Sequence, residues 1–258
     1  MARTSRLLAA VLLAVSLAVS LAVSLAALTP PASAQQPGTQ QPGTGAVEGK
    51  RPGSASDHTW LFDTKYTWSS CDTITYRVNP IAAPKGWKKL VRKAVRKVEQ
   101  ASRLEFRYLG KTRVKPTFTD FNPPDTDLVI AFLNPSQTDM LGGPTVAGQG
   151  SAASDGSFLF DGKVVLNAKV FKKMAPGFGA GPRYGIQGTT GQVVMHEVAH
   201  VVGLGHARHQ TQVMFPAATR KPAEWGAGDW AGLRQLGKGP CDPTPGVPGG
   251  RVTYRSAS

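Results

Sequence analysis

Cysteine and histidine are both scarce in this sequence, and neither is evenly spread. The two cysteines, Cys71 and Cys241, allow one disulfide at most. Five histidines occur, none of them between His58 and His196. Acidic residues are also few, 16 against 30 lysines and arginines, which leaves a net charge of +14. They form no compact acidic loop with the spacing of an EF-hand. Aromatics make up 8% of the chain and are not interleaved with the basic residues, and no nucleic-acid-binding motif is present. Specific nucleic-acid recognition is thereby set aside. The positive charge points instead to nonspecific attraction to an anionic polymer of the cell wall or extracellular space.

What is present is strongly zoned. Arg3 and Arg6 precede an apolar run from Leu7 to Leu28, and Ala32-Ser33-Ala34 supplies the small residues of a signal-peptidase site. Residues 1–34 are expected to be a cleaved secretory signal and the mature protein extracellular. An uncleaved membrane anchor is the rival reading, because the run is long enough to span a bilayer. Over residues 35–59 the repeat Gln-Gln-Pro-Gly-Thr and its Gly, Pro and Ser continuation read as a linker or short pro-segment, a composition that buries no core. Residues 60–241 are expected to form one globular domain, and the Gly- and Pro-rich residues 242–258 a disordered tail.

Within the domain, Thr73 to Asn79 alternates with the period of a strand. From Lys85 to Arg103, apolar residues including Val91, Ala94, Val95 and Val98 recur at helical spacing, with Lys88, Lys89, Arg92 and Arg96 on the opposite side. Glu105 to Thr112, Asp127 to Asn134 and Ser157 to Asn167 read as further strands. The second of these is a continuous apolar run suited to a sheet interior. Thr189-Thr190-Gly191-Gln192 has the arrangement of a capping box and should start a helix near Thr190. In an exported protein Cys71 and Cys241 are expected to pair, contributing about 2–4 kcal/mol by closing a long loop. The rival is a thiolate at Cys71 that ligates a metal and keeps the protein latent.

The predicted helix carries the chemistry. His196 and His200, four residues apart, lie on one helix face and can present ring nitrogens to one point. Gly203 lets the chain leave the helix sharply enough for His206 to approach the same point. Three imidazoles around a tetrahedral zinc leave one position open for water, which distinguishes a catalytic site from a closed structural one. Glu197, next to the first ligand but rotated off its face, is placed to act as general base on that water. Metal-assisted hydrolysis of an amide follows.

The run His196 to His206 resembles the metzincin pattern H-E-x-x-H-x-x-G-x-x-H. With Gln212-Val213-Met214-Phe215-Pro216 it is most similar to the matrixin branch, the matrix-metalloprotease-like proteins. The resemblance implies that Met214 is the Met-turn residue beneath the zinc. It implies a mixed α/β (α+β) metzincin-like domain: a twisted, mostly parallel sheet with packed helices, an active-site helix, and a small C-terminal subdomain carrying the Met-turn. The segment from Thr145 to Ala152 would be the edge that binds an extended peptide, with Thr145, Val146 and Ala147 as substrate contacts and Pro216 on the pocket wall. Residues 226–237 are similar to the family's last helix, with Asp229 near its start.

Departures from the family are equally specific. Ala207 stands where the pattern has Ser, and Phe215, which has no hydroxyl, where it has Tyr. Without histidines between His58 and His196, the structural zinc of vertebrate relatives is expected to be missing. Calcium is a further candidate cofactor, with Asp125, Asp127, Asp155 and Asp161 as oxygen donors, although turn chemistry explains these as well. The sequence thus points to a monomeric, secreted zinc endopeptidase acting on an extended peptide or protein. Two alternatives share its residues: an exported zinc-containing binding protein without turnover, and a hydrolase of a non-peptide amide such as a cell-wall component.

Overall fold

The computed structural model describes residues 51–243. The expected signal segment and tail, apart from residues 242–243, lie outside the described residues, as does the linker up to residue 50. Five strands form one sheet: β1 (Thr73–Asn79), β2 (Glu105–Lys111), β3 (Leu128–Leu133), β4 (Gly148–Ser154) and β5 (Leu159–Asn167), in the order β2-β1-β3-β5-β4. The three pairings β1 to β2, β1 to β3 and β3 to β5 run parallel, and β4 joins β5 antiparallel at the edge. The apolar run Leu128–Leu133 is therefore the middle strand, and every one of its side chains is fully buried. A strand covered on both faces has no polar side to alternate with, which is why its sequence shows no period.

The described residues also form helices α1 (Trp87–Ser102), α2 (Ala168–Phe171), α3 (Thr190–Val201) and α4 (Ala227–Leu236), with a 3-10 turn at Pro135–Gln137. The main core lies on one face of the sheet, where Val91, Ala94 and Val98 of α1 and Val194 and Val198 of α3 meet Ile130, Phe132 and Leu166 of the strands. The opposite face is covered more thinly, by Met140, Leu141 and Val146 of the connection between β3 and β4. Helix α4 packs against α1 at the C-terminal end of the domain. The basic side of α1 is partly engaged: Lys97 pairs with Glu224 at 2.7 Å, and Lys93 stands over the Phe178 ring at 4.7 Å.

Cys71 and Cys241 are disulfide-bonded, with their Cα atoms 5.2 Å apart. No thiolate remains at Cys71 to ligate a metal, so the latency reading of that residue is overturned. Half of the expected capping box forms. Thr189 accepts from the Gln192 backbone N–H at 3.4 Å, but the Gln192 side chain turns away and donates to Thr219 Oγ1 at 3.3 Å. Residues 51–59, which composition assigns to a linker, carry numerous hydrogen bonds to the domain. Pro52 O accepts from Ala227 N at 2.9 Å, and Thr59 O from Gly205 N at 2.8 Å.

Candidate metal centre

Helix α3 is buried on nearly every side, so its sequence is apolar all round except at the site it carries. Its C-terminus is closed by two bonds, Gly203 N to His200 O at 2.9 Å and Leu204 N to Ala199 O at 3.0 Å. That is the Schellman arrangement, and Gly203 takes the left-handed conformation it requires, with φ at 103°. A side chain at Gly203 would also press on Leu159, Leu236 and the Tyr66 carbonyl. The chain is thereby turned back past the helix end, which brings His206 to the rings of the helix.

His196, His200 and His206 offer ligand atoms that all lie within 4.8 Å of one another. His196 Nδ1 is bonded to Val213 O at 2.8 Å and His200 Nδ1 to Leu204 O at 2.7 Å. A carbonyl only accepts, so both Nδ1 atoms must carry the proton. In neutral rings both Nε2 atoms are then bare lone pairs, yet they face each other at 3.0 Å. Burial lowers the pKa of His196 from 6.5 to about 4 and holds that of His200 well below its ordinary value, so the rings are neutral near pH 7. His206 is more exposed, and its smaller downward shift has the same cause. Two facing lone pairs repel unless a cation lies between them. Zinc at about 2.0–2.1 Å from each nitrogen would place tetrahedral ligand atoms roughly 3.3 Å apart. The three histidines fit the ion, and the carbonyl partners fix their tautomers.

Glu197 is buried beside these rings and lines the same cleft as His196. Burial pushes its carboxyl up to about 8, against the opposing pull of the Gly150 backbone N–H. A nearby dication would bring that value down. Strand β4 passes directly over it. A Cβ at Gly148 would lie 2.8 Å from Glu197 Cγ, and one at Gly150 would overlap the Glu197 carbonyl. These two glycines let the sheet edge approach the helix, a role their place in a Gly-rich stretch does not reveal.

The cleft has a volume of about 660 Å³. Thr145, Val146, Ala147 and Pro216 all line it, together with Phe215 and Gln192. The first three precede β4 instead of belonging to it, because the strand starts three residues later than the edge expected from Thr145. Met214 is fully buried. Its N–H and that of Val213 donate to Asp229 of α4, and its carbonyl accepts from Ala207 N at 2.8 Å. Asp229 thus fixes the turn that follows the third histidine. Gln212 joins in: its Oε1 accepts from Asp229 N at 3.1 Å, and its Nε2 donates to Pro52 O and Asp57 Oδ2, both at 3.3 Å.

The four aspartates considered for calcium are used otherwise. Asp125 pairs with Arg77 at 2.6 Å, Asp127 accepts from Thr75, Asp161 is in a buried pair with Lys163 at 3.1 Å, and Asp155 accepts from Ser157 N and Phe158 N. His58 bonds to Ala55 O and His209 to Thr211, away from the three-histidine group. His58 is half-buried against Trp60.

A parallel-rich sheet backed by a helix that carries two histidines and a buried glutamate, with a third histidine beyond a glycine turn, defines a zinc metalloendopeptidase of the metzincin class. The Matrixin family model matches residues 67–236, and the chain belongs to the matrixin family. No curated protein matches it.

Proposed function

We propose that this protein is a secreted, monomeric endopeptidase that cleaves peptide bonds in a substrate lying extended in the cleft. His196, His200 and His206 hold the zinc, and Glu197 is the general base. The observation that carries this reading is the pair of unprotonated Nε2 atoms facing each other beside a buried carboxyl group. When bound, zinc supplies Lewis acidity that polarises the scissile carbonyl and lowers the pKa of water toward about 7.

The chain's own groups do the rest. Glu197 accepts the proton of the attacking water and, once the C–N bond breaks, returns it to the leaving nitrogen. Its burial beside the histidine rings keeps this carboxyl group within reach of the reacting water and away from bulk solvent. Val146 and Ala147 lead into the sheet edge and guide an extended peptide past the site. Phe215 offers no hydroxyl to the developing oxyanion, and its ring, with Met174 and Val170, keeps the cleft apolar.

The test compares wild type with Glu197→Ala on a denatured protein, with zinc content measured for both. The variant should retain zinc and lose about 10²–10⁴-fold in rate. Undiminished hydrolysis would remove Glu197 from the mechanism. Wild type that binds zinc but cleaves neither denatured protein nor a peptide library would favour the binding-protein alternative. Cleavage of cell-wall fragments in preference to peptides would favour the non-peptide amide.

A further inference from the structure

Two of the three histidines are oriented by a hydrogen bond at Nδ1; the third is not. Among the described residues the His206 ring makes no hydrogen bond, and its centroid lies 5.3 Å from that of His196 and 4.8 Å from that of His200. Its position therefore depends on its backbone. That backbone follows the helix-end turn: the 196–206 run itself restrains it only through the bonds of Gly203 N and Leu204 N, and Ala207 N is bonded to Met214 O just beyond.

A further restraint comes from the other end of the domain. Residues 57–61 run alongside the ligand loop, joined to it by one antiparallel bridge and the hydrogen bonds around it. Leu61 N donates to Gly203 O at 2.9 Å, Trp60 bridges Leu204, and Gly205 N donates to Thr59 O at 2.8 Å. Thr59 Oγ1 then donates to the carbonyl of His206 itself at 2.7 Å, and Arg208 N donates to Asp57 O at 3.3 Å. The fit is close: a Cβ at Gly205 would overlap the Trp60 carbonyl. The segment is fastened further out as well, where Pro52 O accepts from Ala227 N and the Arg51 guanidinium lies 3.7 Å over the Trp230 ring.

We propose that residues 51–61 form a strap that positions the third metal ligand, with Thr59 Oγ1 as the positioning contact. This rests on the metal reading above. The strap does for His206 what the Val213 and Leu204 carbonyls do for the other two rings, but through the main chain. A break in the strap between Gly53 and Thr59 would leave two oriented ligands and one free to swing, so the segment is part of the metal site and not a removable leader.

The full mature chain tests this with Thr59→Val, which keeps the shape and removes the hydroxyl, and Thr59→Ser, which restores it. Zinc affinity is read by competition with a chelating dye, and folding by melting of the metal-free proteins. Thr59→Val should bind zinc about 10-fold more weakly or worse, the range for loss of a group that orients a ligand. Thr59→Ser should bind close to wild type, and the metal-free melting temperatures should stay together. Equal zinc affinity in wild type and Thr59→Val would overturn the strap while leaving the zinc site standing. A fall in metal-free stability with unchanged affinity would reduce Thr59 to a packing residue and overturn it too. Failure of wild type to bind zinc would remove the metal reading itself.

Discussion

Asp229 is fully buried, makes no ion pair among the described residues, and has three backbone N–H groups, from Val213, Met214 and Gly226, pointing at its carboxyl. Burial nevertheless wins: it pushes the pKa up from 3.8 to about 6 against those three donors, with Asp57 adding to the rise. The folded state therefore holds this proton more tightly than the unfolded chain does. Its contribution to stability is full below the unfolded value and is lost as pH rises through the folded one. Asn at this position does not titrate. The stability advantage of wild type over Asp229→Asn, from denaturant unfolding, should be largest below about pH 4 and shrink by roughly 3 kcal/mol by about pH 7. A pH-independent difference would show that Asp229 titrates normally. The residue was visible in the sequence only as a favourable charge at a helix start. Its bonds to the turn around Met214 depend on how α4 is docked, which no local pattern specifies.

At the scale of elements, α3 and β4 are built for each other. The helix contributes a buried glutamate on the side facing β4, and the strand contributes Gly148 and Gly150 where any side chain would strike it. Gly148→Ala presses on the Glu197 side chain, whereas Gly150→Ala presses on helix backbone that cannot move alone. The first should lower kcat with a small change in melting temperature, and the second should lower the melting temperature clearly. Overpacking of this kind costs about 1–3 kcal/mol. Equal, negligible effects from both would mean that β4 stands off the helix in solution. The start of α3 was legible because Thr189 caps it locally. The second half of the expected box failed because Gln192 found Thr219, 27 positions away, and the sequence contains no sign of that competition. The edge strand was placed three residues early for a similar reason: Thr145 to Ala147 have strand-compatible residues but lie in the approach to the cleft.

At the scale of the whole molecule, the disulfide joins the two ends of the domain across 170 positions. Its removal should cost about 2–4 kcal/mol. For a domain of this size that corresponds to a drop of roughly 4–16 °C in melting temperature, measured on the Cys71→Ser, Cys241→Ser double variant. No change would mean that the ends are already held by packing. The strap makes its own bonds to the ligand loop, so the double variant also measures how far the two fastenings share the load.

Some features of this protein were determined by its sequence alone. The three histidines, the glutamate and the turning glycine sit within eleven consecutive residues, and helix geometry converts that spacing directly into a shared face and a reversal. The apolar run of β3 and the two-sided pattern of α1 are equally local, since each depends on periods of a few residues. Tertiary structure alone decided what surrounds the site. Thr59 meets the His206 carbonyl from 147 positions away, Asp229 meets Val213 from 16, and Gly150 meets Glu197 across the edge of the sheet. Such contacts follow from how elements dock. Docking is set by the combined burial of many apolar side chains, a quantity that no short stretch of the chain carries.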